Sequence, residues 1–222
     1  LNSGYDITYA PLDISKNALD GITTFLSREL PDLKVEAIQG DYFHSLNTLK
    51  ESDTNKIVMF LGSNMGNMED EQASQFINLI SALLQPNDKI LLGLDQKKSK
   101  TIVLPAYNDK TGVTAKFNLN LLTRINEELD ANFCLANWRH HPEYDEKTGK
   151  AKSFLKSTCD QSVAITSMNK TFEFKENELI QTEISRKYDE TILKKILEPS
   201  ELLIKGKVVD SNSYYANYII EK

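Results

Sequence analysis

Short apolar runs alternate with amphipathic helical segments between Ile7 and Asp95, and this alternation constrains the fold more than any other feature. Such a rhythm is typical of a parallel sheet whose faces are covered by helices. The apolar runs predict strands over residues 7–12, 35–38, 56–61 and 89–94. The chain is therefore expected to contain an α/β domain with a Rossmann-like sheet.

The helices of this region are expected to bury one apolar stripe each. Ser15 is a good N-cap for the first helix, which Pro31 ends. The stripe of this helix is predicted to consist of Ala18, Leu19, Ile22, Phe25 and Leu26. A later helix over residues 114–129 is predicted to turn Phe117, Leu121, Leu122, Ile125 and Leu129 inward.

The pattern changes after Asp95. A helix over residues 114–129 is followed by alternating strands up to Glu183, and the chain ends in a helix over residues 190–197 and two further strands. We therefore predict a Rossmann-like domain made of residues 1–96 and 187–222. Residues 97–186 are expected to form an α+β insertion that binds the substrate.

Composition excludes several classes of protein. The net charge of −6, with acids and bases interleaved, is unsuited to nucleic acid, and no run approaches the ~18 apolar residues of a membrane span. The first residues do not resemble a signal peptide, so a cytoplasmic protein is expected. The chain has two cysteines and three histidines, and none of the histidines has partners at ligand spacing, so no metal site is predicted.

Polar residues follow the predicted strands at the sheet edge where ligands of α/β proteins bind. Asp13 could accept hydrogen bonds from the ribose of an adenosine ligand, or it could help to cap its helix. Asp41 and Tyr42 could contact an adenine, or they could be a turn acid and a core-edge ring. Asn67 follows a glycine turn, where an amide could face whatever lies across the cofactor, or could cap a helix.

Five stretches resemble the signatures of one family, the histidine-specific methyltransferases that use S-adenosylmethionine. They lie in the order expected of that family, at residues 9–15 (YAPLDIS), 40–42 (GDY), 60–67 (FLGSNMGN), 106–120 (AYNDKTGVTAKFNLN) and 182–185 (TEIS). The resemblance implies a class I methyltransferase fold, with the terminal helix and hairpin at the edge of its sheet. It also implies Nα-methylation of histidine to the trimethyl betaine, as in ergothioneine biosynthesis.

The resemblance also implies a role for each matching residue. Asp13 would hold the ribose of S-adenosylmethionine, Asp41 and Tyr42 its adenine, and Gly62 would lie in the cofactor site. On the substrate side, Asn67 and Tyr107 would orient the amino-acid head group and act in catalysis. Glu183 and Ser185, two apart on one strand, would address the two nitrogens of the imidazole.

Two departures from the family pattern affect the expectations. The glycine-rich loop that holds the sulfonium, and the helices before it, have no counterpart here. The chain is therefore expected to be truncated at its N-terminus, to begin inside the domain and to be nearly inactive alone. The complete protein is expected to be a monomer that binds a small amino acid. Ser153 stands where a methionine often lines the imidazole pocket, which leaves the choice of amine open.

Three other functions remain compatible with the sequence. A methyltransferase of the same fold could act on another small amine. A nicotinamide-dependent oxidoreductase could also use Asp13, although its glycine fingerprint is missing. Finally, the chain could be a truncated module that folds or swaps without turnover.

Overall fold

The computed structural model describes residues 6–41 and 54–222. In its first part, β1 (Thr8–Tyr9) pairs in parallel with β3 (Lys34–Val35), and β2 (Leu12–Asp13) pairs in parallel with β4 (Ile38–Gln39). Helix α1 (Lys16–Glu29) connects β2 to β3 and contacts β2 and β4. The crossover is the parallel βαβ arrangement that the sequence pattern predicts.

A four-stranded sheet forms the centre of the second part. Its strand order is β12 (Leu203–Val209), β13 (Tyr215–Glu221), β6 (Lys89–Asp95) and β5 (Ile57–Phe60). Strands β5 and β6 are parallel, whereas β13 runs antiparallel to both of its neighbours. The terminal hairpin is therefore part of the sheet, as expected.

Two helices cover this sheet and bury its main core. Helices α2 (Asp70–Leu83) and α5 (Glu190–Leu197) contact each other and bury their apolar stripes with the side chains of β6 and β13. Asp70 and Glu71 occupy the first turn of α2, where a negative charge favours the helix dipole. No helix in residues 6–41 and 54–222 has both the length and the apolar composition needed to cross a membrane.

The region between β6 and α5 contains two helices and two further sheets. Helices α3 (Lys100–Tyr107) and α4 (Val113–Leu129) precede the strands and pack on the first two of them. The strands that follow are β7 Trp138–Asp145, β8 Lys150–Ser157, β9 Gln161–Ile165, β10 Lys170–Phe174 and β11 Leu179–Arg186. Three of them form an antiparallel sheet in the order β11-β8-β7, and β9 pairs with β10 in a hairpin.

Several predicted details are wrong in the structure. The expected first strand is interrupted at Pro11, which has no N–H to donate to a ladder. In α1 only Leu19 is buried, and Ala18 and Phe25 are exposed, since the strands that this helix contacts within the described residues, β2 and β4, have two residues each. In α4, Phe117 is 74% exposed and Leu129 is also exposed. The buried side of α4 instead contains the polar Asn118.

Helix α3 was not expected from the sequence. It contains Pro105, whose ring cannot continue a helix hydrogen-bond ladder, and a run of β-branched residues with modest helix propensity. Its stability comes from tertiary packing, because Val103 is buried against Tyr144 of β7 and Ala151 of β8.

The end of β11 is packed tightly against the turn that follows β5. A Cβ atom on Gly66 would lie 2.8 Å from the carbonyl oxygen of Arg186, so only glycine fits at this contact. Tyr188, just beyond β11, donates a hydrogen bond of 3.1 Å from its hydroxyl to the carbonyl of Met65. Burial raises the pKa of Tyr188 far above its ordinary value, so this hydroxyl remains a donor. The turn after β5 and the segment that follows β11 are therefore fixed relative to each other.

We expect Gly66→Ala to destabilise the protein by about 1–3 kcal/mol, because the added methyl must displace backbone atoms rather than a flexible side chain. The free energy of unfolding from urea denaturation measures this loss. Gly21→Ala is the matched control, since a Cβ at Gly21 in α1 meets nothing within 4 Å. That control should gain up to about 1 kcal/mol from helix propensity, and equal effects of the two substitutions would contradict the close contact.

Candidate active site

The two predicted cofactor acids lie at the carboxyl ends of neighbouring parallel strands. Asp13 ends β2, and Asp41 follows β4 by two residues. The backbone N–H of Gly40 donates to the Asp13 carbonyl at 3.0 Å, so the strand ends are in register. Tyr42, the third predicted member of this group, lies outside the described residues.

Asp13 contributes to local structure and keeps one carboxylate oxygen for another role. Its Oδ1 accepts the backbone N–H of Ser15 at 2.8 Å, and Ser15 is the N-cap of α1 through its hydroxyl. Within residues 6–41 and 54–222, Oδ2 of Asp13 has no hydrogen-bond partner. Carboxylates at adjacent strand ends suit a ligand that presents hydroxyl and amino donors, as an adenosine does.

Gly62 and Asn67 lie in the turn at the carboxyl end of β5. Gly62 has a φ of 89° and Ser63 a φ of 62°, which makes a tight reversal, and residues Asn64–Asn67 form a short 3-10 helix. The N–H of Gly62 donates to the hydroxyl of Tyr215 at 3.0 Å. Asn67 is exposed, and Glu69 rather than Asn67 is the N-cap of α2.

Two of the predicted substrate residues meet at a buried lysine. The Nζ atom of Lys187 donates to the hydroxyl of Tyr107 at 2.7 Å and to the hydroxyl of Ser185 at 2.9 Å. Its third partner is Oδ2 of Asp95, at 2.8 Å. Tyr107 comes from the end of α3, whereas the serine and the lysine come from β11 and the residue just after it. The site is therefore assembled from segments far apart in the chain.

Lys187 shares its carboxylate partner with a second lysine. The Lys187 side chain is only 6% exposed, and Asp95 also pairs with Lys98. Burial alone would lower the pKa of Lys187, but its hydrogen bonds to Asp95 and Tyr107 outweigh burial and raise this pKa above its ordinary value. Lys187 is therefore a charged ammonium throughout the neutral pH range.

A cavity of about 460 Å³ opens beside this cluster. Its lining is polar on one side and apolar on the side of α3, and it consists of Asp95, Lys98, Ile102, Val103, Ala106, Tyr107 and Lys187. Its volume is within the range of small-molecule sites. The mixed lining suits a small polar molecule that also has an apolar part.

A β-bulge at Thr182 puts Glu183 and Ser185, which share a face because they are two apart on β11, on the buried face of the sheet. Before the bulge Gln181 pairs with Phe154, and after it Glu183 pairs with Ser153, so the register shifts by one residue. Such a shift reverses which side chains face inward. Glu183 thus faces the side on which Ser153 is buried, and Ser185 pairs with Ala151, beside which Tyr107 packs.

The long motif at residues 106–120 combines a site residue with structural ones. Asp109 accepts the backbone N–H groups of Val113 and Thr114 at 2.9 and 2.8 Å, so it caps the start of α4. Hydrogen bonds from Thr111 and from these backbone groups lower the pKa of Asp109 far below its usual range. Asn118 contacts the hydroxyl of Thr182 and thereby supports the bulge.

The sequence motifs do not predict a role for Lys187 in the site, and they predict Asp95 only as the end of a strand. Lys187 continues the row of Glu183 and Ser185 at alternate positions, a spacing that could have indicated it. His140 also lies near the site, since its Nε2 is 2.8 Å from the Tyr107 carbonyl. In the described part of the chain, no group of three or more His, Cys, Asp or Glu side chains could hold a metal ion.

Among solved structures, the fold is similar to that of the CcbJ methyltransferase from Streptomyces caelestis. The TM-score is 0.52 at 8% sequence identity, and the match covers 97% of this chain and 79% of that chain. The strand order and this similarity define a class I, Rossmann-like methyltransferase fold. The chain also matches, over residues 1–222, the family described as histidine-specific methyltransferase, SAM-dependent, and it belongs to that family.

Curated relatives of this chain are longer than the chain itself. A histidine N-alpha-methyltransferase from Mycobacterium tuberculosis is 29% identical over 180 residues, which cover 81% of this chain and 56% of that relative. Ergothioneine biosynthesis protein 1 of Neurospora crassa is 33% identical over 168 residues, which cover 73% of this chain and 19% of that protein.

We expect Asp13→Ala to weaken the binding of S-adenosylmethionine by roughly 1.5–3 kcal/mol, because a carboxylate that accepts from ribose hydroxyls is lost. Calorimetric titration with the cofactor measures this change. Asp13→Asn keeps an acceptor for Ser15 and separates the capping role from the ligand role. Asp20→Ala is the control, since Asp20 lies exposed on α1 and, in the described part of the chain, pairs only with Lys16. Equal affinities in all variants would remove Asp13 from the cofactor site.

Proposed function

We propose that the protein transfers methyl groups from S-adenosylmethionine to the α-amine of histidine and carries that amine to its trimethyl betaine. The observation that carries this proposal is the meeting of the Tyr107 and Ser185 hydroxyls at Lys187. These hydroxyls belong to the two motifs that the family resemblance assigns to the substrate. The names of the mycobacterial and fungal relatives support the same reaction.

The cofactor assignment follows from the strand ends. Asp13 would hold the ribose, Asp41 and Tyr42 the adenine, and Gly62 would approach the cofactor closely at the adjacent turn. The Oδ2 atom of Asp13, which has no hydrogen-bond partner among the described residues, fits this role, because the ribose hydroxyls are donors and a carboxylate only accepts. When bound, S-adenosylmethionine supplies a methyl group that is already activated by its positive sulfur.

The protein must therefore position the amine and keep water away rather than provide a nucleophile of its own. In each transfer a nitrogen–carbon bond forms as the carbon–sulfur bond breaks. The attacking amine must be neutral, and its proton leaves to solvent. We assign Asn67 and Tyr107 to orienting the amino-acid head group, with the exposed Asn67 at the adjacent turn of the sheet edge.

The ring of the substrate would lie against β11. Glu183 can accept a hydrogen bond from a ring N–H, and Ser185 can donate one to the other ring nitrogen. Both hydroxyls at Lys187 lie within 2.9 Å of its Nζ, so one small amino acid can contact both. The apolar residues of α3 would contact the carbon atoms of this substrate.

A second small amine remains a candidate substrate because of Ser153. This residue is 1% exposed, its Oγ has no hydrogen-bond partner among the described residues, and it stands opposite Glu183. A pocket with a small polar residue here has room for a side chain other than imidazole. A more distant relative, N-methyltransferase imqF of Aspergillus flavus, is 23% identical over 94% of this chain.

Mass spectrometry of the products tests the proposed reaction. With S-adenosylmethionine and histidine, the complete protein should give the mono-, di- and trimethylated amino acid in succession. A panel of other amino acids and small amines, assayed in parallel, distinguishes the two candidates. Methylation of another amine without any methylation of histidine would overturn the proposed substrate.

We expect Glu183→Ala to lower kcat/KM for histidine roughly ten- to hundredfold, because a ring N–H loses its acceptor in a partly dry pocket. Activity toward tryptophan should fall less or rise. Steady-state kinetics with both amino acids measure the difference.

Glu173→Ala is the matched control for this substitution, since Glu173 is an exposed carboxylate on β10 of the same insertion. The control should leave both substrates within about ±0.5 kcal/mol of the wild type. An equal loss for histidine and tryptophan in Glu183→Ala would show that Glu183 supports the fold or the head-group site rather than the ring.

A further inference from the structure

Lys187 is the centre of the hydrogen-bond network in the candidate site. A lysine ammonium has three hydrogens to donate and no capacity to accept. Its three partners, Tyr107, Ser185 and Asp95, use these hydrogens fully. None of the three hydrogens remains for a substrate, so Lys187 can act on a ligand only through its partners and its charge.

The direction of these hydrogen bonds determines what the two hydroxyls can do. Because Lys187 only donates, the oxygen atoms of Tyr107 and Ser185 must accept, and each hydroxyl hydrogen is left to point elsewhere. Within residues 6–41 and 54–222, neither hydroxyl has an acceptor for that hydrogen. Both groups are therefore set as donors, and their complement on a ligand is an atom with a free lone pair.

The charges around this point are nearly balanced. The titratable groups that face the cluster come from every element packed around it: Asp95 and Lys98 at the end of β6, Tyr107 on α3, His140 and Tyr144 on β7, and Glu183 on β11. Glu183 alone would favour a cationic ring beside it. The Lys187 ammonium is hydrogen-bonded to Ser185 and therefore opposes a positive charge on a ring nitrogen that lies against that hydroxyl.

We propose that Lys187 is a positioning residue that makes the site select a neutral nitrogen ring over its protonated form. The inference rests on the function proposed above. Lys187 holds the Ser185 hydroxyl as a donor, which an unprotonated ring nitrogen can accept and a second N–H cannot. Glu183 takes the N–H of the same ring. A neutral imidazole matches both groups, because it has one N–H and one nitrogen with a free lone pair. An imidazolium has an N–H on both nitrogens, so one of them would face the Ser185 hydroxyl, which is also a donor.

The test compares histidine with β-(1,2,4-triazol-3-yl)alanine, whose ring offers the same N–H and lone pair but stays neutral in this pH range. Both affinities are measured by calorimetry with S-adenosylhomocysteine present, at pH 7.5 and at pH 5.5. Because free imidazole has a pKa of about 6.5, selection of the neutral ring should weaken histidine about tenfold relative to the triazole on acidification. The shared α-amine cancels in this ratio.

In Lys187→Met the relative affinity should change less than about threefold between the two pH values, because the hydroxyls can turn and the opposing charge is gone. A purely structural role would weaken both ligands equally and leave the pH dependence of the ratio intact. Lys98→Met is the matched control: it removes the other ammonium from Asp95 but contacts neither hydroxyl, so the tenfold change should persist.

Ser185→Ala provides a second test if Lys187→Met does not fold. It should weaken both rings about five- to tenfold at pH 7.5, since both lose the donor. Unchanged affinities in Ser185→Ala, or a tenfold pH effect retained in Lys187→Met, would overturn the inference. A wild type that binds both amino acids without a pH-dependent ratio would overturn the inference alone. A wild type that binds neither would overturn the proposed function together with it.

Discussion

The ion pair between Asp95 and Lys187 joins the end of β6 to the residue that follows β11. The rest of the candidate site depends on this connection. Asp95 ends β6, receives the backbone N–H of Tyr188 on its carbonyl at 2.8 Å, and donates its own N–H to Ser63 at 3.0 Å. One residue thus connects the sheet, the turn after β5 and the return from the insertion. Lys187 is buried and Asp95 is only partly exposed, so removal of either partner leaves a charge that is poorly solvated and unpaired, and the geometry around the pair is strongly constrained.

The Asp95–Lys187 ion pair also explains why the candidate site lies where it does. A methyl transfer from an activated donor needs orientation and exclusion of water more than it needs a reactive side chain. The hydroxyls of Tyr107 and Ser185 act as hydrogen-bond donors here, because the buried Lys187 ammonium occupies their oxygen atoms. They lie beside apolar residues of α3. Fixed dipoles in a dry environment act more strongly than mobile ones in water, because they do not have to reorganise. The cofactor acids lie at the ends of separate strands, which the same α/β architecture brings to one edge.

The sequence predicted the repeating elements well and the exceptional ones poorly. Helix α5 and strand β6 have strong periodicity, and the structure contains them close to the expected bounds. Helix α3 was missed because Pro105 and its β-branched residues oppose a helix locally, while burial of Val103 decides in its favour. Phe117 was placed inward because its spacing is helical, but the buried side of α4 is the one that carries Asn118 and Leu122. Periodicity identifies a face, and only the neighbouring elements decide which face is covered.

By itself, the sequence determined the fold class, the family and the types of residue available for chemistry, because these depend on composition, spacing and short motifs. The tertiary structure decided how those residues are combined. The bulge at Thr182 turns Glu183 toward the buried face, a register choice that alternation along one strand cannot reveal. Lys187 belongs to the candidate site because α3 holds the hydroxyl of Tyr107 against its Nζ, although the two residues are 80 positions apart in the chain. Hydrogen bonds between such distant segments depend on the packing of whole elements, and no local pattern in the chain encodes them.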